Sequence, residues 1–314
     1  MNRIASEGSR RDNRSRRRAS RAIPGLFVLA IAWSSEPLSS RGLAQTPAKA
    51  QVAAAPKENT SADHRSTDKA SPALPASSIV PTETEAIARA RRTIADCQKT
   101  YQKIEDYTCT FYKRERVDGK LYTPHVITMK ARTKPASLYF KFVQPNRGRE
   151  AIFIHGKNNN KIVAHDVGIG RFVAGTMHLD PKGDMAMEEN RHPVTEAGLG
   201  AMIDQVKSRW DSELHPGESV LLFHPQAKVG ERPCLLVESI HPKKSEEFLF
   251  HKVKLYIDRE HNLPIRFEAY DWPKHPGAEP ELLEEYTFAD LKVNVGLKDR
   301  DFDPSNSHYS YGRF

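Results

Sequence analysis

Apolar and polar residues alternate along most of the chain after Tyr107, with a period of two. Residues 138–142 and 253–257 place large apolar side chains on one side of an extended backbone, with Lys, Tyr and polar groups on the other. Such alternation is typical of antiparallel strands that bury one face. The pattern predicts an α+β fold built on a curved antiparallel sheet with one apolar side.

The predicted strands alternate in this way or are short apolar runs between turn residues. They are residues 106–116, 121–133, 137–143, 150–154, 161–165, 218–224, 233–241, 250–258, 264–272 and 282–293. Asp118-Gly119 has the composition of a hairpin turn between the first two strands. Residues 166–196 are rich in Gly and Pro and interrupt the series, which predicts a loop in the middle of the sheet.

Two segments have helical rather than strand spacing. Thr82 and Glu85 form a capping box, and the apolar stripe that follows consists of Ile87, Ala90, Ile94, Cys97, Tyr101 and Ile104. In the second segment Thr195 is the predicted N-cap, and the stripe consists of Leu199, Met202, Ile203, Val206 and Trp210. Both stripes predict amphipathic helices that pack against the sheet.

The first 80 residues have a different composition. Residues 1–44 combine an Arg-rich start, the short apolar stretch 23–33 and small residues up to Ala44, the layout of a signal peptide cleaved near Ala44. A disordered basic arm on a cytosolic protein is the alternative, and Arg16-Arg17 leaves twin-arginine export open. Residues 45–80, rich in Ala, Pro, Ser and Thr, predict a disordered linker. The expected organisation is completed by one domain over 81–304 and a tail over 305–314.

The charge of the chain lies mostly in its leader. The whole chain carries +8, and residues 1–44 hold nine Arg and three acidic residues, so only +2 remains for residues 45–314. The short basic runs in that part are each followed by acidic residues, whereas nucleic-acid binding requires basic residues clustered on one face. We therefore expect no nucleic-acid partner. The signal-peptide layout of residues 1–44 predicts a periplasmic or otherwise exported location.

No motif of a known catalytic or metal site is present. The thirteen His are scattered without His-Glu-x-x-His spacing, no Ser has a Gly-x-Ser-x-Gly setting, and Gly168-Ile169-Gly170 lacks the rest of a phosphate-binding loop. We expect no metal, no cofactor and no catalytic residue. Cys97, Cys109 and Cys234 leave two alternatives open, one disulfide with a free thiol or three buried thiols.

Four stretches resemble the LolA/LolB-like superfamily of periplasmic lipoprotein carriers and, more closely, the related domain of unknown function 1571 family. These stretches are residues 134–145 with an aromatic strand between two Pro, 151–157 ending in Gly-Lys, 255–266 with Asp258 and Leu263-Pro264, and 288–302 with the closing strand and Asp301-Phe302. The resemblance implies a half-barrel fold: a strongly curved antiparallel sheet, an unclosed β-barrel, with helices covering its concave face over an apolar cavity. It also implies a non-catalytic carrier or binder of lipid, lipoprotein acyl chains or another apolar ligand, with transient contacts to an envelope membrane or protein.

The candidate ligand-binding residues are large and apolar, and they lie on the predicted inner sides of strands or on the second helix. They are Phe111, Met129, Leu138, Phe140, Phe142, Ile152, Ile154, Met202, Trp210, Val253, Leu255, Ile257 and Phe267. A cavity with such walls can hold an acyl chain without polar contacts, since each buried CH₂ group contributes about 0.8 kcal/mol. The same alternation is also typical of core residues packed against a helix.

Two other functions remain open. A structural or envelope-interaction domain would fill its inner face with its own helix and leave no cavity larger than a few waters beneath residues 199–210. An unrecognised hydrolase would require a cleft with convergent acidic groups or His of perturbed pKa.

Overall fold

The computed structural model describes residues 82–167 and 175–311. The predicted signal peptide and the whole of the predicted linker lie outside these ranges. The helices are α1 (Glu83–Tyr101), α2 (Asp184–Met187) and α3 (Leu199–Glu213). The strands are β1 (Asp106–Val117), β2 (Lys120–Leu121), β3 (His125–Arg132), β4 (Ser137–Gln144), β5 (Glu150–Ile154), β6 (Ile162–His165), β7 (Thr176–Leu179), β8 (Val220–Val229), β9 (Arg232–Ile240), β10 (Lys252–Asp258), β11 (Leu263–Tyr270) and β12 (Leu282–Val293).

The strands form one antiparallel sheet in the order β7-β6-β5-β4-β3-β1-β12-β11-β10-β9-β8, with β2 paired to β1. The first and last strands, β1 and β12, therefore meet in the middle of the sheet. Among the described strands, β7 and β8 end the sheet without pairing to each other, so the sheet is open, as predicted. The hairpin at Asp118-Gly119 is present, and both residues have the positive φ that this turn requires.

The connection from β7 to β8 must cross a face of the sheet, because these consecutive strands lie at its opposite ends. It carries α2 and α3, and α3 packs into the same core cluster as Phe111 and Phe288. We call this side the inner face. α1 joins the same cluster through Ile94 and Cys97, neither of which is exposed to solvent. The predicted stripe of α3 is buried, as are Ile87, Ala90, Ile94 and Cys97 of α1, whereas Tyr101 is half-buried and Ile104 lies beyond the end of α1.

Two glycines fix the position of α3. A Cβ on Gly200 would lie only 2.5 Å from Cε1 of Tyr101, so α1 and α3 approach closely there. Gly198 is the N-cap with φ of 100°, and a Cβ there would lie 2.7 Å from the hydroxyl of Tyr107. The prediction that Thr195 caps this helix is wrong, because residues 194–196 form a separate 3-10 turn.

The outer face carries the end of the described chain. Phe302 is completely buried, Tyr309 stacks on Tyr139 at 4.2 Å, and Tyr311 packs in the same cluster. The Asp106 carboxylate accepts backbone N–H groups from residues 295–297 at 2.7–3.1 Å and so fixes the turn that leads there. Within the described ranges, no helix has the length and apolar character needed to cross a membrane.

Candidate functional site: an inner-face cavity

A cavity of about 380 Å³ lies beside α3 on the inner face of the sheet. Its sheet wall is largely aromatic and includes Phe111, Phe140 and Phe267, while α3 contributes Met202 and Trp210. Met185 of α2 and Leu249 of the β9–β10 connection also line it, although they are 66% and 41% exposed. This part of the wall is therefore apolar, and the rim reaches solvent.

The cavity brings together seven of the thirteen residues predicted to bind a ligand. These are Phe111, Phe140, Phe142, Met202, Trp210, Val253 and Phe267. Four others, Met129, Leu138, Leu255 and Ile257, belong to the adjoining core but not to the cavity wall. They share a face with the lining residues and contact neighbouring core side chains instead.

Ile152 and Ile154 lie on the outer face instead of the predicted inner one. In the β4–β5 register Phe140 faces Ala151, whereas Ile152 faces Tyr139 and packs with Phe302 and Tyr311. β5 is a continuous apolar run, so its period-two pattern does not show which side is inward. The ligand-binding role of the thirteen residues stays a prediction.

One wall of the cavity is charged. Glu115 on β1 and Glu284 on β12 are register partners, and each is only 3% exposed. Like charges directly opposite each other on neighbouring strands are destabilising unless other groups compensate them. The Lys113 ammonium contacts Glu115 at 2.9 Å, and the Tyr286 hydroxyl donates to Glu115 Oε1 at 2.6 Å. This cation and hydroxyl offset part of the repulsion.

The rest of the compensation comes from the segment between β7 and α3. Arg191 donates its backbone N–H to Glu115 at 2.7 Å and its side-chain Nε–H to Glu284 Oε2 at 3.0 Å. The Nε2 atom of His192 lies 2.8 Å from the same Oε2. This segment is therefore tied to the middle of the sheet by charge as well as by apolar packing.

These contacts shift two pKa values in opposite directions. Burial acts to raise the pKa of Glu115, but Lys113, the Tyr286 hydroxyl and the Arg191 N–H outweigh it and hold that pKa below its ordinary value. Burial acts to lower the pKa of His192, but Glu284, with Glu115 and Glu196, outweighs it and raises that pKa. Both shifts favour the charged forms.

The sequence interpretation missed this charged wall. Lys113 and Glu115 have the same strand parity as Phe111, and Glu284 and Tyr286 have the same parity as Phe288, so period-two spacing places all of them on the inner face. A charged residue that continues an apolar face is the signal that could have revealed the wall.

A second polar group lies where α3 meets β9. Arg209 donates to Glu213 at 2.8 Å, and Nε2 of His241 lies 3.9 Å from Glu213. Nδ1 of His241 lies 3.3 Å from the Ser219 hydroxyl, which itself lies 3.3 Å from the Glu213 backbone carbonyl. Burial lowers the pKa of His241. These contacts hold the end of α3 against the sheet.

The three cysteines are free and buried. Burial raises the pKa of Cys97 to about 12, with the Asp96 carboxylate adding to the shift, and burial also raises the pKa of Cys109 and Cys234. In the described part of the chain, Asp258, Glu260 and His261 form the one group with a spacing that could hold a metal. Arg232 contacts Asp258 at 2.6 and 2.9 Å and Glu260 at 2.9 Å, which offsets one of these two negative charges.

A family model described as "Protein of unknown function (DUF1571)" matches residues 104–311. No curated protein is found to match the chain.

Among solved structures, the chain is similar to the lipoprotein LppX of Mycobacterium tuberculosis, with 11% identity over 69% of this chain and 99% of that one and a TM-score of 0.41. It is also similar to a putative outer membrane lipoprotein-sorting protein domain from Vibrio parahaemolyticus, with 12% identity over 68% and 97% and a TM-score of 0.30. A LolA superfamily protein from Nitrosomonas europaea matches with 10% identity over 68% and 97% and a TM-score of 0.26.

Proposed function

The chain belongs to the DUF1571 family, which is described as having unknown function, and from its cavity we propose that it binds and carries an apolar ligand, a lipid or a lipoprotein acyl chain. The supporting observation is the space of about 380 Å³ beside α3, with aromatic and aliphatic walls. An apolar cavity of about 150 Å³ is enough to bind benzene. The larger space here is of a size to accept a chain of several methylene groups.

The proposal favours a carrier over a self-filled structural domain. A domain that filled its inner face completely with its own helix would leave no space beside Met202, Trp210 and Phe267. Instead these three side chains line one cavity. Each CH₂ group of a bound chain would contribute about 0.8 kcal/mol, so six of them would supply roughly 5 kcal/mol without a polar contact.

Export and domain organisation belong to the same proposal. A carrier of this kind would work in the cell envelope, consistent with the signal-peptide layout of residues 1–44 and the linker composition of residues 45–80. The folded domain over 81–304 would then sit at the end of a flexible tether. N-terminal sequencing of the mature protein is expected to begin near Gln45, and an intact Met1 in exported protein would contradict this part.

Native mass spectrometry of gently purified protein tests the binding proposal. We expect a population heavier than the apo protein by the mass of a lipid, which organic extraction removes. The cavity-filling variant Val253→Phe should lose that population, whereas Ile154→Phe on the outer face should keep it. Finding only bare wild-type protein across several preparations, with no uptake of added lipid, would overturn the proposal.

A further inference from the structure

The polar part of the cavity wall has a surplus of negative charge. Seven residues that line the cavity place carboxylates on its inner side or rim: Glu115, Asp166, Glu188, Glu189, Glu196, Glu213 and Glu284. Glu150 also borders the space, but its carboxylate accepts the Ser310 backbone N–H on the outer face. Among the described residues of the lining, only Lys113, Arg149 and Arg209 are permanent cations.

Ion pairing does not remove this surplus. Arg149 is matched by Asp166 at 3.0 Å and Arg209 by Glu213 at 2.8 Å, while Lys113 is matched by Glu115 at 2.9 Å. Glu284 is matched by Arg191, which lies next to the lining residues. Three of the seven carboxylates are then left without a cation, or two when His192 is protonated. The remaining acids lie between α2 and α3, at Glu188, Glu189 and Glu196.

One acceptor atom in this wall has no hydrogen-bond partner among the described residues. Oε2 of Glu284 contacts Arg191 at 3.0 Å and His192 at 2.8 Å, but its Oε1 accepts no hydrogen bond from the described residues. Glu284 is only 3% exposed and lines the cavity. A carboxylate oxygen accepts hydrogen bonds and cannot donate them while ionised. A ligand group next to this atom would therefore need to be a donor.

From the cavity, its charge and this free acceptor, we infer that the bound amphiphile has a head group that donates hydrogen bonds and carries no negative charge. Ammonium and hydroxyl heads share that chemistry, with Glu284 Oε1 as the acceptor and the apolar chain running along Phe111, Phe267 and Trp210. Carboxylate and phosphate heads would be repelled by the unmatched carboxylates at the rim, and salt would screen this repulsion because Glu188 and Glu196 are exposed. The inference rests on the proposed function and specifies its ligand class.

Three probes with the same twelve-carbon chain test this inference: dodecylammonium, monododecanoylglycerol and dodecanoate. Each displaces a neutral naphthylamine dye from the full chain at pH 7.5, below its micelle concentration. We expect dodecylammonium to bind at least tenfold more tightly than dodecanoate, with the glycerol ester between them. The ratio should fall as salt is raised, since salt screens charge.

Two variants separate charge from folding. Glu284→Gln should reduce the ammonium-to-carboxylate affinity ratio at least threefold and weaken binding of the glycerol ester by a smaller factor than binding of dodecylammonium, because hydrogen bonds to charged groups are the stronger ones. Glu188→Gln removes an exposed carboxylate at the rim, so it tests the charge surplus without disturbing a buried contact. Glu279→Gln, exposed and outside the cavity, is the matched control and should change nothing.

The outcomes distinguish this inference from the proposed function. Dodecanoate binding as tightly as dodecylammonium, or more tightly, would overturn the head-group inference and leave apolar binding intact. An ammonium preference that survives in both Glu284→Gln and Glu188→Gln would also overturn it. Failure of all three probes to displace the dye from wild-type protein would overturn the proposed function and this inference together.

Discussion

The hydroxyl of Tyr107 lies 2.9 Å from the backbone nitrogen of Leu199 and accepts its hydrogen bond. The first N–H groups of a helix have no partner within the helix. At α3 a tyrosine from β1, 92 residues earlier in the chain, accepts one of them in place of a local capping side chain. The start of the helix that borders the cavity is thus fixed directly to the sheet.

Replacing Tyr107 with Phe should destabilise the protein by about 1–3 kcal/mol, because it leaves a buried N–H without an acceptor. Urea unfolding measures the change. Tyr112→Phe, on the same strand but 41% exposed, is the control and should shift the free energy of unfolding by less than about 0.5 kcal/mol. Equal effects of the two substitutions would show that the Tyr107–Leu199 hydrogen bond does not contribute measurably to the free energy of unfolding.

Gly200→Ala should also be destabilising, although Ala favours a helix interior over Gly by about 1 kcal/mol. The added Cβ would meet the Tyr101 ring at 2.5 Å, so α1 and α3 would have to separate. A double-mutant cycle with Tyr101→Ala measures the coupling. In the Tyr101→Ala background the same Gly200→Ala change should become neutral or stabilising, and an unchanged cost there would contradict the close approach.

Val253→Phe should reduce the affinity of an apolar dye at least tenfold, because the larger side chain occupies cavity space. Cavity filling usually changes stability by about +0.5 to +2 kcal/mol, so the variant should remain folded. Ile154→Phe adds the same ring on the outer face and should leave dye binding unchanged. Retained binding in Val253→Phe would indicate that the dye sits elsewhere.

His192 should stabilise the protein below neutral pH. Its folded pKa is raised by Glu284 against the effect of burial, so its contribution is complete below the unfolded pKa of about 6.5 and disappears as pH rises through the folded value. His192→Gln should therefore lower the free energy of unfolding more at pH 5.5 than at pH 9. Urea unfolding of both proteins at the two pH values gives this difference, and a larger loss at pH 9 would reverse the assigned sign.

Cys97, Cys109 and Cys234 should react with an aromatic disulfide reagent at pH 8 only as the protein unfolds. All three are buried, and the raised pKa values keep the thiols protonated. The denatured protein should titrate three thiols, and the native protein none within minutes. Fewer than three in denatured, unreduced protein would reveal a disulfide.

Strand positions were predictable from the sequence because a sheet with one buried face imposes a period of two. The α3 stripe, from Leu199 to Trp210, was equally clear for the corresponding helical reason. The inward side of β5 was not, since both of its faces are covered, one by the core and the other by Phe302 and Tyr311. β7 and α2 were also missed, because each has only four residues and they lie in a Gly- and Pro-rich stretch.

The site was predictable only in its apolar part. Phe111, Phe140 and Phe267 follow from alternation, but the opposition of Glu115 and Glu284 depends on which strands pair. That pairing joins residues 169 positions apart, and no local pattern specifies it. The Tyr107–Leu199 contact is hidden for the same reason.

The meeting of β1 and β12 in the middle of the sheet has a consequence for how the molecule is assembled. Until Leu282–Val293 has been synthesised, each half of the sheet has only its own hairpins, and Phe111 and Lys113 lie on an unpaired strand edge. Closure of so long a loop makes folding slow compared with a domain built from local contacts. A chain cut before Leu282 would therefore lose a central strand of the sheet and not an edge strand. The two halves of the sheet would no longer pair with each other and would expose apolar surface.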